Sequence, residues 1–307
     1  MTICWGITDG SAGMVAQVRS LAVAMNIVPE MKIIALKKPW SLLPNICYNG
    51  CLLKFVLSHA LREPKNVAAP NPEMVISCGR KAALVSAAIK KSQPSVKAVH
   101  IQDPQMSPRN FDVVVAMEHD KVAGDNVIKT RFALHSISPN VLGAACEIFM
   151  PHFAAYPRPH IAVLLGGSTN KYKLTKARME NVIVDLQEWL AGTKGSLLIT
   201  PSRRTGAENI ADLMKAFEDN KNVYIYDGKE ENPYMGLLAC ADKIIVSNDS
   251  VNMMSEAFAT GKPVTILHFE GHENTKPARF AEMIKNHPKM TGDEMEKLAH
   301  QVRKFIS

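Results

Sequence analysis

Lys243–Leu267, KIIVSNDSVNMMSEAFATGKPVTIL, holds a complete strand–helix–strand unit. The apolar run Lys243–Ser247 predicts a strand, Val251–Thr260 a short helix, Gly261-Lys262-Pro263 a turn, and Pro263–Leu267 the next strand. Alternation of this kind belongs to a parallel sheet covered by helices. A helix that starts at the carboxyl end of such a strand presents backbone N–H groups and a positive dipole end. Phosphates bind there in open α/β sheets. At ~3.6 residues per turn, Asp249, Asn252, Glu256 and Thr260 share one face, and Val251, Met254 and Phe258 share the opposite one. The apolar face suits packing on a sheet, and the polar face offers a carboxylate and hydroxyls to a ligand. The same residues also fit a plainer reading: Asp249 or Ser250 only caps the helix, and Glu256 is only solvated.

The alternation extends in both directions. Before residue 150 the strands expected are Ile3–Thr8, Lys32–Leu36, Met74–Ser77, Lys97–Ile101 and Asp112–Ala116. The helices expected with them are Ala12–Met25, Cys51–Leu61, Arg80–Lys90 and Pro139–Phe149. Met150–Pro159, MPHFAAYPRP, carries three prolines and reads as a linker. Strands then recur at Ile161–Leu165, Ser196–Thr200, Asn222–Tyr226, Lys243–Ser247 and Pro263–Leu267. Thr175–Ala191, Ala207–Phe217, Pro233–Ala239 and Val251–Thr260 are the helices between them, and Ala278–Asn286 and Asp293–Phe305 finish the chain. The expected architecture is α/β, with two Rossmann-like domains, 1–150 and 151–307, facing a cleft. The last helix is free to pack back on the first domain.

Composition agrees with a folded chain of this size. Of 307 residues, 47% are hydrophobic and 21% charged, and the net charge is +7. The excess favours anionic partners such as nucleotides, phosphorylated substrates or an acidic membrane surface. No RNA-binding signature accompanies it, so nucleic acid is not an expected partner. Six scattered cysteines fit reduced thiols. Only Cys47 and Cys51 are close, with no second pair to complete a zinc site, so no metal is expected. With no leader-like N-terminus and no long apolar run, a cytoplasmic protein is expected. Lys37–Arg62 mixes lysines, leucines and aromatics with no acid. That stretch suits a core helix behind a basic loop, and it also suits contact with a membrane surface.

Four further stretches carry chemistry. Thr8–Gln17, TDGSAGMVAQ, forms a glycine turn after the first strand. Its spacing is not G-x-G-x-x-G, which argues against a dinucleotide dehydrogenase. Asp9 there is a candidate base or a helix cap. Gly166–Thr169, GGST, follows the first strand of the second half and suits a phosphate. Thr200–Gly206, TPSRRTG, places Arg203 and Arg204 to fork onto phosphate oxygens and Ser202 and Thr205 to donate. In Glu118-His119-Asp120 a histidine flanked by carboxylates is a candidate general base, or an ordinary surface histidine.

Taken together, Asp9-Gly10 with Gln17, Ser77–Arg80 (SCGR), Phe111-Asp112 with Glu118–Asp120, Ser202–Thr205 (SRRT) and Asn248–Val264 resemble the elongated-mitochondria, or mitochondrial fission, family. Bacterial members of that family are often labelled nucleoside-diphosphate-sugar epimerases. The second half is also similar to GT-B glycosyltransferases. That resemblance implies a nucleoside-diphosphate-sugar as substrate, with no separate cofactor. By position, Gly167 with Ser168 would hold the donor diphosphate and Glu256 the ribose hydroxyls. Gly166, Ser202, Arg203, Arg204, Asp249 and Ser250 would complete the site. A histidine expected in the first loop is replaced by Ser11-Ala12, which leaves the catalytic base open between Asp9 and His119. The implied activity is sugar transfer to an unidentified acceptor, at a membrane or in solution. The alternatives are a 2-epimerase and a non-catalytic adaptor that, like plant members, recruits a fission GTPase.

Overall fold

A computed structural model describes residues 3–48, 52–68, 70–169, 172–269, 275–285 and 294–306. In the first part of the chain these are β1 (Cys4–Thr8), α1 (Ala12–Ala24), β2 (Glu30–Ile33), α2 (Leu52–Phe55, continued as a π-helical turn over Val56–Ala60), β3 (Met74–Cys78), α3 (Arg80–Ser92), β4 (Lys97–Ile101), β5 (Val113–Met117) and β6 (Val127–Thr130). There follow α4 (Pro139–Phe153), β7 (His160–Leu165), α5 (Lys176–Ala191), β8 (Ser196–Pro201), α6 (Ala207–Ala216), β9 (Val223–Ile225) and α7 (Tyr234–Cys240). The chain ends with β10 (Lys243–Ser247), α8 (Val251–Ala259), β11 (Val264–Leu267), α9 (Lys276–Lys285) and α10 (Glu294–Ile306).

The first compact unit comprises Met1–Ser136 with Asp293–Ser307. Its six parallel strands lie in the order β2-β1-β3-β4-β5-β6. Side chains alternate across the sheet as the pleat requires. Trp5, Ile7, Val75, Ala98 and Val114 meet α2 and α3 on one face. Cys4, Ile76, Val99 and Val113 meet α1 and α10 on the other. The last helix therefore completes the first unit's core. The edge strand β6 was not expected. It has four half-exposed to exposed residues and pairs only with β5, so it lacks the apolar run that marks a central strand.

The second unit is Ile137–Gly292. Its five parallel strands lie in the order β11-β10-β7-β8-β9. Order reverses between β7 and β10, the arrangement of a Rossmann half. The division falls at residue 136 and not at 150. Helix α4 runs through the expected linker, over Pro151 to Phe153. Phe149 and Phe153, one turn apart, are both buried. That packing outweighs a proline in the last turn. Cys51, Asn286 and Asp293, named above at element ends, lie outside the described residues.

Candidate functional site

The loops after β10, β7 and β8 are neighbours at the carboxyl end of the second sheet, and the first two flank its switch point. Chain direction alone therefore brings together the three stretches singled out by sequence. The loop after β7 begins with two buried glycines whose places no other residue can take. A Cβ on Gly166 would fall on the Asp249 carboxylate, and one on Gly167 would fall on the Arg204 carbonyl.

Asp249 ties the three loops. One carboxylate oxygen accepts from Gly167 N at 3.1 Å and from the Arg204 guanidinium at 2.8 Å. The other accepts from Ser247 Oγ at 2.7 Å, and that hydroxyl in turn accepts from Gly166 N at 2.8 Å. The side chain is 0% exposed. It does not share a helix face with Glu256, because it precedes the helix cap and turns under the glycine loop. Buried and holding three donors, Asp249 fixes the three loops to one another. Ser247, which completes this network, was missed by sequence. A polar residue closing a buried strand was the available signal.

The other loop residues divide into supports and free groups. Thr205 Oγ1 donates to Gly166 O at 2.6 Å. Ser168 N donates to Arg204 O at 2.8 Å, and Ser168 Oγ accepts from Leu174 N at 3.1 Å. Ser202 Oγ accepts from Arg204 N at 3.2 Å. Ser202 Oγ also meets Thr205 Oγ1 at 3.5 Å, whereas the Ser168 hydroxyl keeps a proton to donate. Arg203 is exposed. Ser250 is the N-cap of α8 and accepts from Met253 N at 3.4 Å. The buried face of α8 is Met254, Ser255 and Ala257, while Val251 and Phe258 are only half-buried.

Glu256 sits on the half-buried side of α8. Tyr234, the first residue of α7, donates its hydroxyl to the carboxylate. Burial pushes the Glu256 carboxyl above its ordinary value, and the tyrosine hydrogen bond draws it partly back. Burial and the facing carboxylate push the Tyr234 phenol well above its own, so it stays a donor. Tyr234 was not found by sequence, since it lies 22 residues from its partner on another helix. At the far end of α7, Lys262 Nζ donates to Leu238 O and Ala239 O at 2.7 and 2.5 Å. A cation at a helix C-terminus opposes the dipole there.

In the first unit, Asp9 follows β1. It accepts from Ser11 N at 3.1 Å and Ser11 Oγ at 2.6 Å, with Lys81 Nζ at 3.7 Å. His119 follows β5, half-buried, with its Nε2 at 3.9 Å from Asp120 Oδ1. β1 and β5 are separated by β3 and β4, so three strand spacings, roughly 14 Å, lie between the two candidate bases. The structure does not bring them together. Among the described residues, no three or more of His, Cys, Asp and Glu cluster as metal ligands would.

The profile of the mitochondrial fission ELM1 family matches residues 12–301. The chain belongs to the mitochondrial fission ELM1 family. It is 32% identical over 238 residues to the mitochondrial fission protein ELM1 of Arabidopsis thaliana, a match covering 70% of this chain and 55% of the plant protein. The chain thus spans little more than half of that relative. An uncharacterized protein of Rickettsia prowazekii is 24% identical over 321 residues, covering 91% of this chain and 87% of its own. Among solved structures, the UDP-GlcNAc 2-epimerase of Methanocaldococcus jannaschii is similar at TM-score 0.56 and 14% identity, covering 99% of this chain and 92% of that one. The S. aureus MnaA–UDP structure is similar at TM-score 0.56 and 12% identity, covering 100% and 97%. These likenesses show the fold, which is of the GT-B type.

Several motif residues of this ELM1-family chain serve its frame. Arg80 donates to Leu43 O and Ser41 O at 2.9 and 2.8 Å, pinning the loop before α2. Asp112 accepts from Ala98 N at 2.7 Å and pairs with Lys90 at 2.9 Å. Ser77 Oγ meets His100 Nδ1 at 2.9 Å inside the sheet's core. Burial lowers that histidine to about 3, so it is neutral at physiological pH.

Proposed function

We propose that the second unit binds a nucleoside-diphosphate-sugar at its switch point and that the protein transfers the sugar to an acceptor. The observation that carries this reading is Glu256, a half-buried carboxylate six residues along α8 from Ser250, about 9 Å, and oriented by Tyr234. A carboxylate accepts both hydroxyls of a ribose diol. The start of α8 at Ser250, with Ser168, Ser202, Arg203 and Arg204, meets the charge that grows on the leaving diphosphate, and no metal is invoked. Solved proteins of this fold hold UDP-GlcNAc or UDP, which agrees with such a donor. Transfer needs one base, so Asp9 and His119 stand as alternatives and not as a pair. A 2-epimerase needs acid and base on both faces of one ring, which two groups so far apart do not provide.

The acceptor is proposed to reach the first unit from a membrane surface. Leu42, Leu43, Leu52 and Phe55 are exposed, while Leu53, Val56 and Ala60 of the same stretch enter the core. Lys37, Lys38, Lys54 and Arg62 are exposed around them. Among the described residues, no helix is long and apolar enough to cross a membrane.

Calorimetry with UDP, GDP, ADP and CMP, each against its 2′-deoxy form, tests the donor site. One ribonucleotide should bind, and both Glu256→Ala and the deoxy form should weaken it about 10-fold or more. Undiminished binding to Glu256→Ala refutes the ribose role, and no binding of any nucleotide favours an adaptor. A labelled donor that yields a free epimer without acceptor refutes transfer.

A further inference from the structure

A second chemical site lies in the same unit, away from the loops just described. Helices α4 and α7 touch along one row of side chains. Gly236 of α7 faces Phe149 of α4 so closely that a Cβ on the glycine would fall on the ring. Cys240 lies one turn beyond Gly236 on the same helix face, and Cys146 lies one turn before Phe149 on its own. The two helices thus run past each other with a second contact one turn from the first. There the Cys240 thiol donates to Cys146 Sγ at 3.6 Å. Both sulfurs are free thiols, Cys146 half-buried and Cys240 buried.

We propose that Cys146 and Cys240 form a thiol–disulfide exchange site that takes a small-molecule disulfide, of which oxidised glutathione is the type, and closes to a bridge between α4 and α7. The half-buried Cys146 is the attacking group. Its thiolate bonds to one sulfur of the oxidant, the oxidant's S–S bond breaks, and one glutathione thiolate leaves and takes up a proton. Cys240 then loses its proton to water and attacks the Cys146 sulfur, which expels the second glutathione. In sum, two protein thiols are oxidised to one disulfide and one glutathione disulfide is reduced to two thiols. Burial pushes the Cys240 thiol up to about 12. This suits a resolving group shielded from outside reagents rather than a first nucleophile.

The geometry supplies what the second step needs. Both sulfurs stand on packed helices, so little chain motion separates 3.6 Å from a bond. The bridge would close a loop from residue 146 to residue 240 that contains β7, α5, β8, α6 and β9. It would fix the last residue of α7, the helix whose first residue, Tyr234, holds Glu256.

Incubation of the full chain with oxidised glutathione, acid quenching and non-reducing peptide mapping test the proposal. The expected product joins the peptides of Cys146 and Cys240 and carries no glutathione. The Cys240→Ser variant should stop with glutathione on Cys146, and in Cys146→Ser the Cys240 thiol should stay unmodified. Reduction with dithiothreitol should restore both thiols in the unaltered chain. Glutathione retained on Cys146 while Cys240 remains a thiol overturns the proposal. So does a bridge to any other cysteine, or modification of Cys240 in Cys146→Ser. The readout is covalent and needs no nucleotide, so it stands or falls separately from the donor-site reading.

Discussion

Asp249→Ala removes the group on which all three site loops converge, and its cost follows from its three partners. Gly167 N lies in a buried turn and loses its acceptor at 3.1 Å, a desolvation penalty of about 1–3 kcal/mol. Ser247 Oγ loses its bond at 2.7 Å but retains Leu164 O at 3.3 Å, so about 1 kcal/mol is lost there. Arg204 is 41% exposed and turns to water, which holds the ion pair's share to about 1 kcal/mol or less. The sum is about 2–5 kcal/mol, and for a unit of this size each kcal/mol lowers the melting temperature by about 2–4 °C. Scanning calorimetry should therefore show one transition, that of Ile137–Gly292, lowered by roughly 10 °C. The other transition should stay in place. Asp249→Asn keeps the shape, its amide oxygen facing Gly167 and Arg204 and its nitrogen facing Ser247 Oγ, whose proton then turns to Leu164 O, and it should lose about half as much. Arg204→Ala leaves the buried Asp249 carboxylate its amide and hydroxyl donors but no counter-charge, and should cost about 1–3 kcal/mol, less than Asp249→Ala, besides lowering ligand affinity. An unmoved transition in Asp249→Ala, or a larger loss in Arg204→Ala than in Asp249→Ala, refutes the supporting role.

Glu256→Gln should behave in the opposite sense. Burial raises the Glu256 carboxyl above 4.5, so the fold prefers its protonated form. The stability this group contributes is complete below that value and is lost as pH rises through the higher folded one. Glutamine does not titrate, so denaturant melts from pH 4 to 8 should show a smaller loss with rising pH and a more stable variant at pH 7. A variant with the same or a steeper decline contradicts this. Gly167→Ala places a methyl group on the Arg204 backbone carbonyl, where no flexible side chain can yield. Overpacking of this kind costs about 1–3 kcal/mol or more, and a second-unit melting temperature equal to that of the unaltered chain excludes the contact.

Much of this was legible because parallel strands carry their signal locally. Lys243–Ser247 and Lys97–Ile101 end in the structure where the apolar run ends, since strands buried on both faces read as unbroken hydrophobic segments. The loops after β7, β8 and β10 were legible too, for chain direction puts every such loop at one end of the sheet. What failed was whatever depends on partners distant in sequence. Pro151 reads as a helix end, yet Phe149 and Phe153 extend α4 because both are buried. Asp249 reads as a helix residue by spacing, yet it precedes the cap and its carboxylate faces the glycine loop. Tyr234 has no local mark at all. Its role exists only where α7 passes α8.

The two acids of the second unit make the division of labour concrete. Asp249 is fully buried and closed in by an amide, a hydroxyl and a guanidinium, which use three of its roughly four acceptor positions. Its rigidity holds Gly167 and Arg204 in place before any anion arrives. Glu256 has one described donor, Tyr234, in surroundings that disfavour its charge. A group in that state gains from further donors, and the hydroxyls of a sugar supply them without adding a charge. A second cation there would instead saturate the carboxylate and turn it into another support. On the proposed donor reading, Asp249 fixes the backbone and Glu256 meets the diol, so discrimination between ligands is expected to rest on Glu256.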